Sequence, residues 1–167
     1  MKQRIAILGD GITGKAVHQK ASDLNFEIVA PEDAELVIAS PGIPPAEFPD
    51  VKVPIISDIE WAFRLFQEFG NAPFLIGITG TNGKSTVTSL VGHMLDIPLA
   101  GNIGVPLISY VGLEQIYPQI VVELSSYQLE TCIDFRPDIA VLLNITPDHL
   151  RRHGNMDDYM AQKAKCF

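Results

Sequence analysis

The stretch Gly77-Ile-Thr-Gly-Thr-Asn-Gly-Lys-Ser-Thr86 constrains the fold of this chain more than any other. Apolar Phe74-Leu-Ile-Gly-Ile78 runs into it and reads as a buried strand, and Val87 to Leu95 leave it as a helix. A strand, a glycine-rich turn and a helix start, in that order, form a phosphate cradle, because backbone N–H groups and the helix dipole point at the anion. Lys84 adds a mobile positive charge for β- and γ-phosphates, and the Ser85 hydroxyl can ligate Mg²⁺. The general pattern G-x-x-x-x-G-K-[ST] asks for glycine at position 78, where Ile78 stands; the glycines are Gly77, Gly80 and Gly83. The expectation of a nucleotide site therefore rests on the placement between strand and helix more than on the Gly-Lys-Ser triplet. The rival is a glycine-rich turn with an exposed lysine.

A second glycine pattern lies near the start. Residues 4 to 9 read as a strand, Gly9-Asp-Gly-Ile-Thr-Gly14 as a turn, and Lys15 to Asn25 as a helix. Phe26 to Ala30 and Ala34 to Ser40 read as further strands, which gives a βαβ beginning. Gly9-x-Gly11-x-x-Gly14 fits a dinucleotide fingerprint, with Glu32 or Asp33 near the place of a ribose-binding acid. NAD and a UDP-sugar are both candidate ligands, and an ordinary tight strand–helix turn is the rival. Pro41 to Pro54 is proline-rich loop, with a short strand beginning near Val53, and Ile59 to Phe69 read as a helix. Gly70-Asn-Ala-Pro73 marks a boundary, giving units 1–70 and 71–167.

In the second unit, Gln119 to Leu124 and Asp138 to Asn144 are apolar on both faces, which suits a parallel sheet covered by helices. The expected class is α/β: a Rossmann-like unit followed by a P-loop parallel-sheet unit. Met156 to Phe167 read as a helix that runs to the last residue, so the chain reads as stopping inside a domain.

Composition narrows the function classes. The net charge of −8 argues against a general nucleic-acid or membrane-surface role, so polyphosphate must be held by local donors. Cys132 and Cys166 lie far apart, with neither metal spacing nor a disulfide framework, and a reducing cytoplasm is the expected compartment. Met1 to Ile5 do not read as a signal peptide, and no apolar run approaches membrane-spanning length.

Other residues suit chemistry at the same rim. Glu123 ends an apolar strand in Val121-Val-Glu-Leu-Ser-Ser126, where a carboxylate suits Mg²⁺ beside a P-loop. Asp148 and His149 follow the strand Ala140 to Ile145 and reach the same rim, where His149 suits a second metal ion. Lys163, on the last helix, reads on its own as a surface lysine.

Four blocks occur in order: Gly80-Thr-Asn-Gly-Lys-Ser-Thr86, Gly101-Asn-Ile-Gly-Val-Pro106, Glu123-Leu-Ser-Ser-Tyr-Gln-Leu-Glu130 and Asn144-Ile-Thr-Pro-Asp-His-Leu150. Together they resemble the Mur ligase family, and the Glu123 block resembles its D-glutamate-adding branch. The resemblance runs from about residue 4 to residue 167. It implies an ATP-dependent amide ligase of peptidoglycan precursor synthesis that joins D-glutamate to UDP-N-acetylmuramoyl-L-alanine through an acyl phosphate, with Mg²⁺. Gly11, Ile12, Thr13, Ser40, Pro41 and Gly42 would line the UDP site. Gly80, Thr81, Asn82, Gly83, Lys84, Ser85 and Thr86 would hold ATP. Ser85 and Glu123 would ligate one Mg²⁺ and His149 a second. Asn102, Ser126 and Gln128 would face the muramoyl-alanine and phosphate region. Lys163, in Tyr159-Met-Ala-Gln-Lys163, matches the family's carbamylated lysine, an anion able to hold Mg²⁺. Lys84, Asn102, His149 and Lys163 would be the catalytic group.

Departures accompany the match. Asp148-His-Leu-Arg-Arg-His153 carries Arg151 where the family has an acid. Val29-Ala-Pro-Glu-Asp33 leaves no room for the usual second helix, and Asp96-Ile-Pro-Leu-Ala100 is a short connection. The family's C-terminal, D-glutamate-binding domain and the end of its central domain have no counterpart, so the expectation is that residues 1–167 are inactive alone. Two other readings stand beside the ligase: a non-catalytic nucleotide-binding module or degraded remnant, and an NAD-dependent oxidoreductase built on the first glycine turn.

Overall fold

The structure, a computed structural model, describes residues 2–167, so Met1 of the N-terminal reading lies outside it. The chain is α/β, with two four-stranded sheets whose strand pairs are all parallel. The first sheet holds β1 (Arg4–Leu8), β2 (Glu27–Ile28), β3 (Leu36–Ala39) and β4 (Ile55–Ser57) in the order β2-β1-β3-β4. The second holds β5 (Phe74–Thr79), β6 (Leu99–Gly101), β7 (Gln119–Glu123) and β8 (Ile139–Leu142) in the order β6-β7-β5-β8.

The strand that feeds each glycine turn, β1 or β5, is flanked by strands reached in opposite directions. That makes its carboxyl end the switch point where α/β sheets bind ligands. Gly77 lets β5 sit there: a Cβ on it would fall 2.9 Å from both Leu124 Cδ1 and Pro137 Cγ.

The two helices that follow the glycine turns start earlier than the sequence suggests. α1 (Ile12–Asp23) begins directly after Gly11, and α3 (Lys84–Leu95) after Gly83, which takes φ 82°. A Cβ on Gly14 would lie 2.0 Å from the Gly9 carbonyl oxygen, so only glycine lets the first turn of α1 rest on the end of β1. α2 (Asp58–Phe69) is capped by Ser57, whose Oγ accepts from Glu60 N–H, and ends at left-handed Gly70. β6, α4 (Ser126–Leu129) and α5 (Leu150–His153) are among the elements with too few residues for periodicity to show. The last helix, α6 (Met156–Ala164), is capped by Asn155 and stops before the final residues.

The separate sheets share one core. Ile5, Val17, Ile38, Ile59 and Phe66 of the first unit belong to the same buried cluster as Leu107, Ile108, Val111, Leu129 and Phe135 of the second. The Glu60 carboxylate spans the boundary. It accepts from the N–H groups of Ile133, Asp134 and Phe135 and from Arg64 Nε. Burial pushes its pKa up, but these bonds more than offset that and hold it below the usual range. One expectation fails at β8, where Ile139 and Leu142 are exposed. β8 is the sheet's edge, paired only with β5 and not covered on both faces. No described helix is long and apolar enough to cross a membrane.

Candidate functional site

The carboxyl ends of β5, β7 and β8 bring most of the second-unit residues together. Gly80 (φ 154°) and Gly83 give the turn conformations that L-residues rarely adopt. Thr81 N–H donates to the Asn144 carbonyl and Asn82 N–H to Asn144 Oδ1, so the Asn144 block braces the loop from β8. The loop is also tied to α6, since Thr81 Oγ1 lies 3.0 Å from Tyr159 Oη. No side chain caps α3, which leaves its first-turn amides to an external acceptor. Lys84 Nζ bends back to the carbonyls of Gly80 (3.0 Å) and Thr81 (2.9 Å). Ser85 and Thr86 are exposed on the first turn of α3.

Glu123 is buried at the end of β7. Its Oε1 accepts from Asn102 Nδ2 at 2.6 Å, and its Oε2 is buried with no partner. An unpaired buried carboxylate oxygen is costly, and a bound cation relieves that cost. The donor set is oxygen-rich and hard, as Mg²⁺ requires. Among the described residues, no group of three or more His, Cys, Asp or Glu side chains is placed to hold a metal ion. A magnesium there would need hydroxyl, water or phosphate oxygens to complete its shell.

Lys163 corrects the reading of a surface lysine. It is 1% exposed, and its Nζ donates to the Gly80 carbonyl at 2.8 Å and to Thr79 Oγ1 at 3.4 Å. Burial and then the charge of Lys84 bring its pKa down to about 8. A lysine embedded in α6 is indistinguishable by composition from a solvated one; only the Tyr-x-x-x-Lys context signals it.

His149 sits in a left-handed conformation (φ 54°) ahead of α5. Its Nδ1 meets Tyr127 Oη at 3.0 Å, and its Nε2 lies 3.4 Å from Asp148 Oδ2. It is exposed on the rim, with Nε2 and the Asp148 carboxylate close enough to serve the same cation. Ser126 and Gln128 are placed differently from an open substrate face. Ser126 is buried with Oγ 3.0 Å from His153 Nε2, and Gln128 Oε1 accepts from Ser125 N–H and Oγ in a capping box. Both shape the turn under the rim. Arg151 is exposed.

At the first sheet, Gly9 to Thr13 and Ser40 to Ile43 line a cavity of about 360 Å³, which brings together Gly11, Ile12, Thr13, Ser40, Pro41 and Gly42. Ser40 Oγ is buried there without a partner. Glu32 and Asp33 are not part of its lining. They stand in a 3₁₀ turn, Pro31–Asp33, on a connection that rejoins the sheet where Glu35 N–H donates to the Arg4 carbonyl. The ribose-acid expectation therefore fails, because the β2–β3 connection is too short to reach the end of β1.

Sequence reading missed the joint between the two sites. Arg152 makes a bidentate pair with Glu130 (Nε to Oε1 at 3.0 Å, Nη2 to Oε2 at 2.6 Å), stacks 4.2 Å over Tyr127, and donates to the Ile43 carbonyl at 3.1 Å. His153 Nδ1 shares Glu130 at 3.2 Å. Burial brings the His153 pKa down, against the raising influence of Glu130. Nothing in the spacing of Glu130 and Arg152 announces their pairing.

Residues 78–167 match the family model described as the Mur ligase middle domain. The UDP-N-acetylmuramoylalanine–D-glutamate ligase of Rickettsia prowazekii is 37% identical over 203 aligned positions, covering 99% of this chain and 44% of that protein. Enzymes of the same name from Clostridioides difficile (43% identical; 81% of this chain, 32% of theirs) and Rhodospirillum rubrum (46%; 78% and 29%) also match. The chain thus spans less than half the length of these curated relatives. A solved UDP-N-acetylmuramate:L-alanyl-γ-D-glutamyl-meso-diaminopimelate ligase from Neisseria meningitides shares the fold, with a TM-score of 0.57 at 17% identity over 99% of this chain and 67% of that one. The chain belongs to the Mur ligase family.

Proposed function

We propose that this chain carries the UDP-substrate and ATP sites of an ATP-dependent ligase that joins D-glutamate to UDP-N-acetylmuramoyl-L-alanine in the cytoplasm. The observation that carries the reading is the convergence of Lys84, Lys163 and the Glu123 carboxylate, with one oxygen unpaired, at the ends of β5 and β7, next to the phosphate turn. Relatives spanning nearly the whole chain bear the name of that activity.

The reaction follows from the chemistry of the groups. The alanine carboxylate attacks the γ-phosphorus of ATP, giving an acyl phosphate and ADP. The D-glutamate amine then attacks the activated carbonyl, loses a proton and expels phosphate, leaving the amide. Magnesium, when bound, neutralises phosphate charge. Asn144 braces the loop through the Thr81 and Asn82 N–H groups, the uncapped N–H groups of Gly83 to Thr86 orient the triphosphate, and Lys84 leaves its loop carbonyls for the phosphates. Glu123 and Ser85 would hold one metal ion and His149 a second. Asn102 fixes the Glu123 carboxylate by its 2.6 Å bond and would face the muramoyl-alanine end of the substrate. Lys163 would act as a carbamate: its lowered pKa supplies the neutral amine, which adds to CO₂ and gives up a proton to solvent, and the resulting anion would be able to hold Mg²⁺.

The test is a residue-resolved titration of the labelled chain. UDP-N-acetylmuramoyl-L-alanine should shift residues 9–13 and 40–43 together with Asn102, in the presence of ATP and Mg²⁺. Shifts with NAD and none with the UDP compound would turn the first loop over to a nicotinamide cofactor.

A further inference from the structure

We propose that the first-loop cavity recognises the diphosphate and ribose common to all ribonucleoside diphosphates and does not select the uracil base. The inference rests on the reading of that cavity as the nucleotide site and concerns what the site can distinguish.

In a doubly wound sheet, the nucleoside lies beyond the strand ends at the switch point, and the residues after β2 supply its side wall. Here β2 stops level with Ile5, where Val29 N–H donates to the Ile5 carbonyl. The Pro31–Asp33 turn follows at once, and Glu35 N–H returns to the Arg4 carbonyl. The segment thus leaves and rejoins the sheet at the start of β1, whereas the glycine turn begins after Leu8. At strand rise that is about 10 Å away. Ala34 is buried with Ala6 and Val37, so the connection folds against the face of the sheet and builds no wall at its rim. The alignment to the Rickettsia prowazekii enzyme spans 203 positions for a chain of 167 residues, so that relative has segments with no counterpart here.

What remains at the cavity suits groups shared by every nucleotide. Gly9 and Gly11 allow close backbone approach to phosphate. The buried, unpartnered Ser40 Oγ lies only 2.8 Å from where a Cβ on Gly9 would stand, directly beneath the turn. Asp10, the one carboxylate in the lining, can accept from ribose hydroxyls. Ile12 is 79% exposed and offers an apolar surface on which any base can lie. Of the remaining side chains, Pro41 and Ile43 are apolar, and the Thr13 hydroxyl, free to donate or accept, suits any base edge. A site discriminates strongly when it hydrogen-bonds the distinguishing group and only weakly when it does not.

The experiment titrates the labelled chain with UDP, CDP and GDP, with the second-sheet site saturated by a non-hydrolysable ATP analogue and Mg²⁺. Shifts at residues 9–14 and 40–43 report binding. The three dissociation constants should agree within about threefold. Ser40→Ala should weaken all three alike, by about tenfold, since each loses the same hydroxyl supporting the phosphate turn from beneath. A preference for UDP of about tenfold or more over both others would overturn the inference and leave the nucleotide reading in place. Absence of shifts with all three in a folded chain would overturn the nucleotide reading and the inference with it.

Discussion

Lys84 and Lys163 donate to the same acceptor, the carbonyl oxygen of Gly80, at 3.0 and 2.8 Å. Two ammonium groups on one carbonyl repel, and the charge of Lys84 joins burial in lowering the pKa of Lys163. The loop thus stores a lysine ready to move to phosphate and a second ready to lose its proton. Lys84→Ala should weaken ATP binding by about ten- to a hundredfold, the worth of a hydrogen bond to a charged group. Unchanged affinity by calorimetry in a folded variant would remove Lys84 from the phosphate site.

Lys163 should take up CO₂. With ¹³C-bicarbonate, the chain should show a carbamate carbonyl resonance that grows with bicarbonate and is missing in Lys163→Ala. A spectrum identical in the two proteins would leave Lys163 as a buried amine bound to the loop.

The sequence showed the site more clearly than its supports. Gly9, Gly14, Gly77, Gly80 and Gly83 were legible because backbone geometry there tolerates no side chain. Residues with a local periodicity, such as the apolar positions of β5, β7 and α2, were legible for the same reason of strong local constraint. Lys163 and Glu60 were not, because their meaning comes from partners distant in sequence: Gly80 for the one, Ile133 to Phe135 for the other. Ser57-x-x-Glu60 even has the pattern of a capping box, yet only half of it forms, and the Glu60 side chain serves the other unit instead. The failure of Glu32 and Asp33 to reach the first loop was a matter of chain length across β1, which residue type does not reveal.

Asp58 should make stability fall with rising pH. It is completely buried, and burial, offset only in part by the N–H groups of Asp58 and Ile59, pushes its pKa up to about 7 from 3.8. A carboxyl with a raised folded pKa holds its proton more tightly in the folded state. Its contribution is intact below about 3.8 and is lost as pH climbs to about 7, a change of a few kcal/mol. Asp58→Asn should therefore raise the melting temperature at pH 8 and have little effect at pH 4. Equal effects at both pH values would show that Asp58 does not titrate in the folded chain.

Glu60→Gln should loosen the joint between the units. The charge that organises the N–H groups of Ile133, Asp134 and Phe135 and the Arg64 guanidinium would go. The expected loss is about 2–4 kcal/mol of unfolding free energy by denaturant titration, with faster hydrogen exchange at residues 133–135. Stability within about 0.5 kcal/mol of the parent chain would show that the shared apolar core holds the units without it.

The central claim is that Gly80 to Thr86 and Glu123 together hold ATP with its magnesium. Calorimetric titration of ATP with and without Mg²⁺, in the parent chain and in Glu123→Gln, addresses it directly. Mg²⁺ should tighten ATP binding by about tenfold or more in the parent chain, and Glu123→Gln should lose most of that gain while binding metal-free ATP no more weakly. Equal ATP affinity with and without Mg²⁺ in the parent chain, or an undiminished Mg²⁺ effect in folded Glu123→Gln, would contradict it.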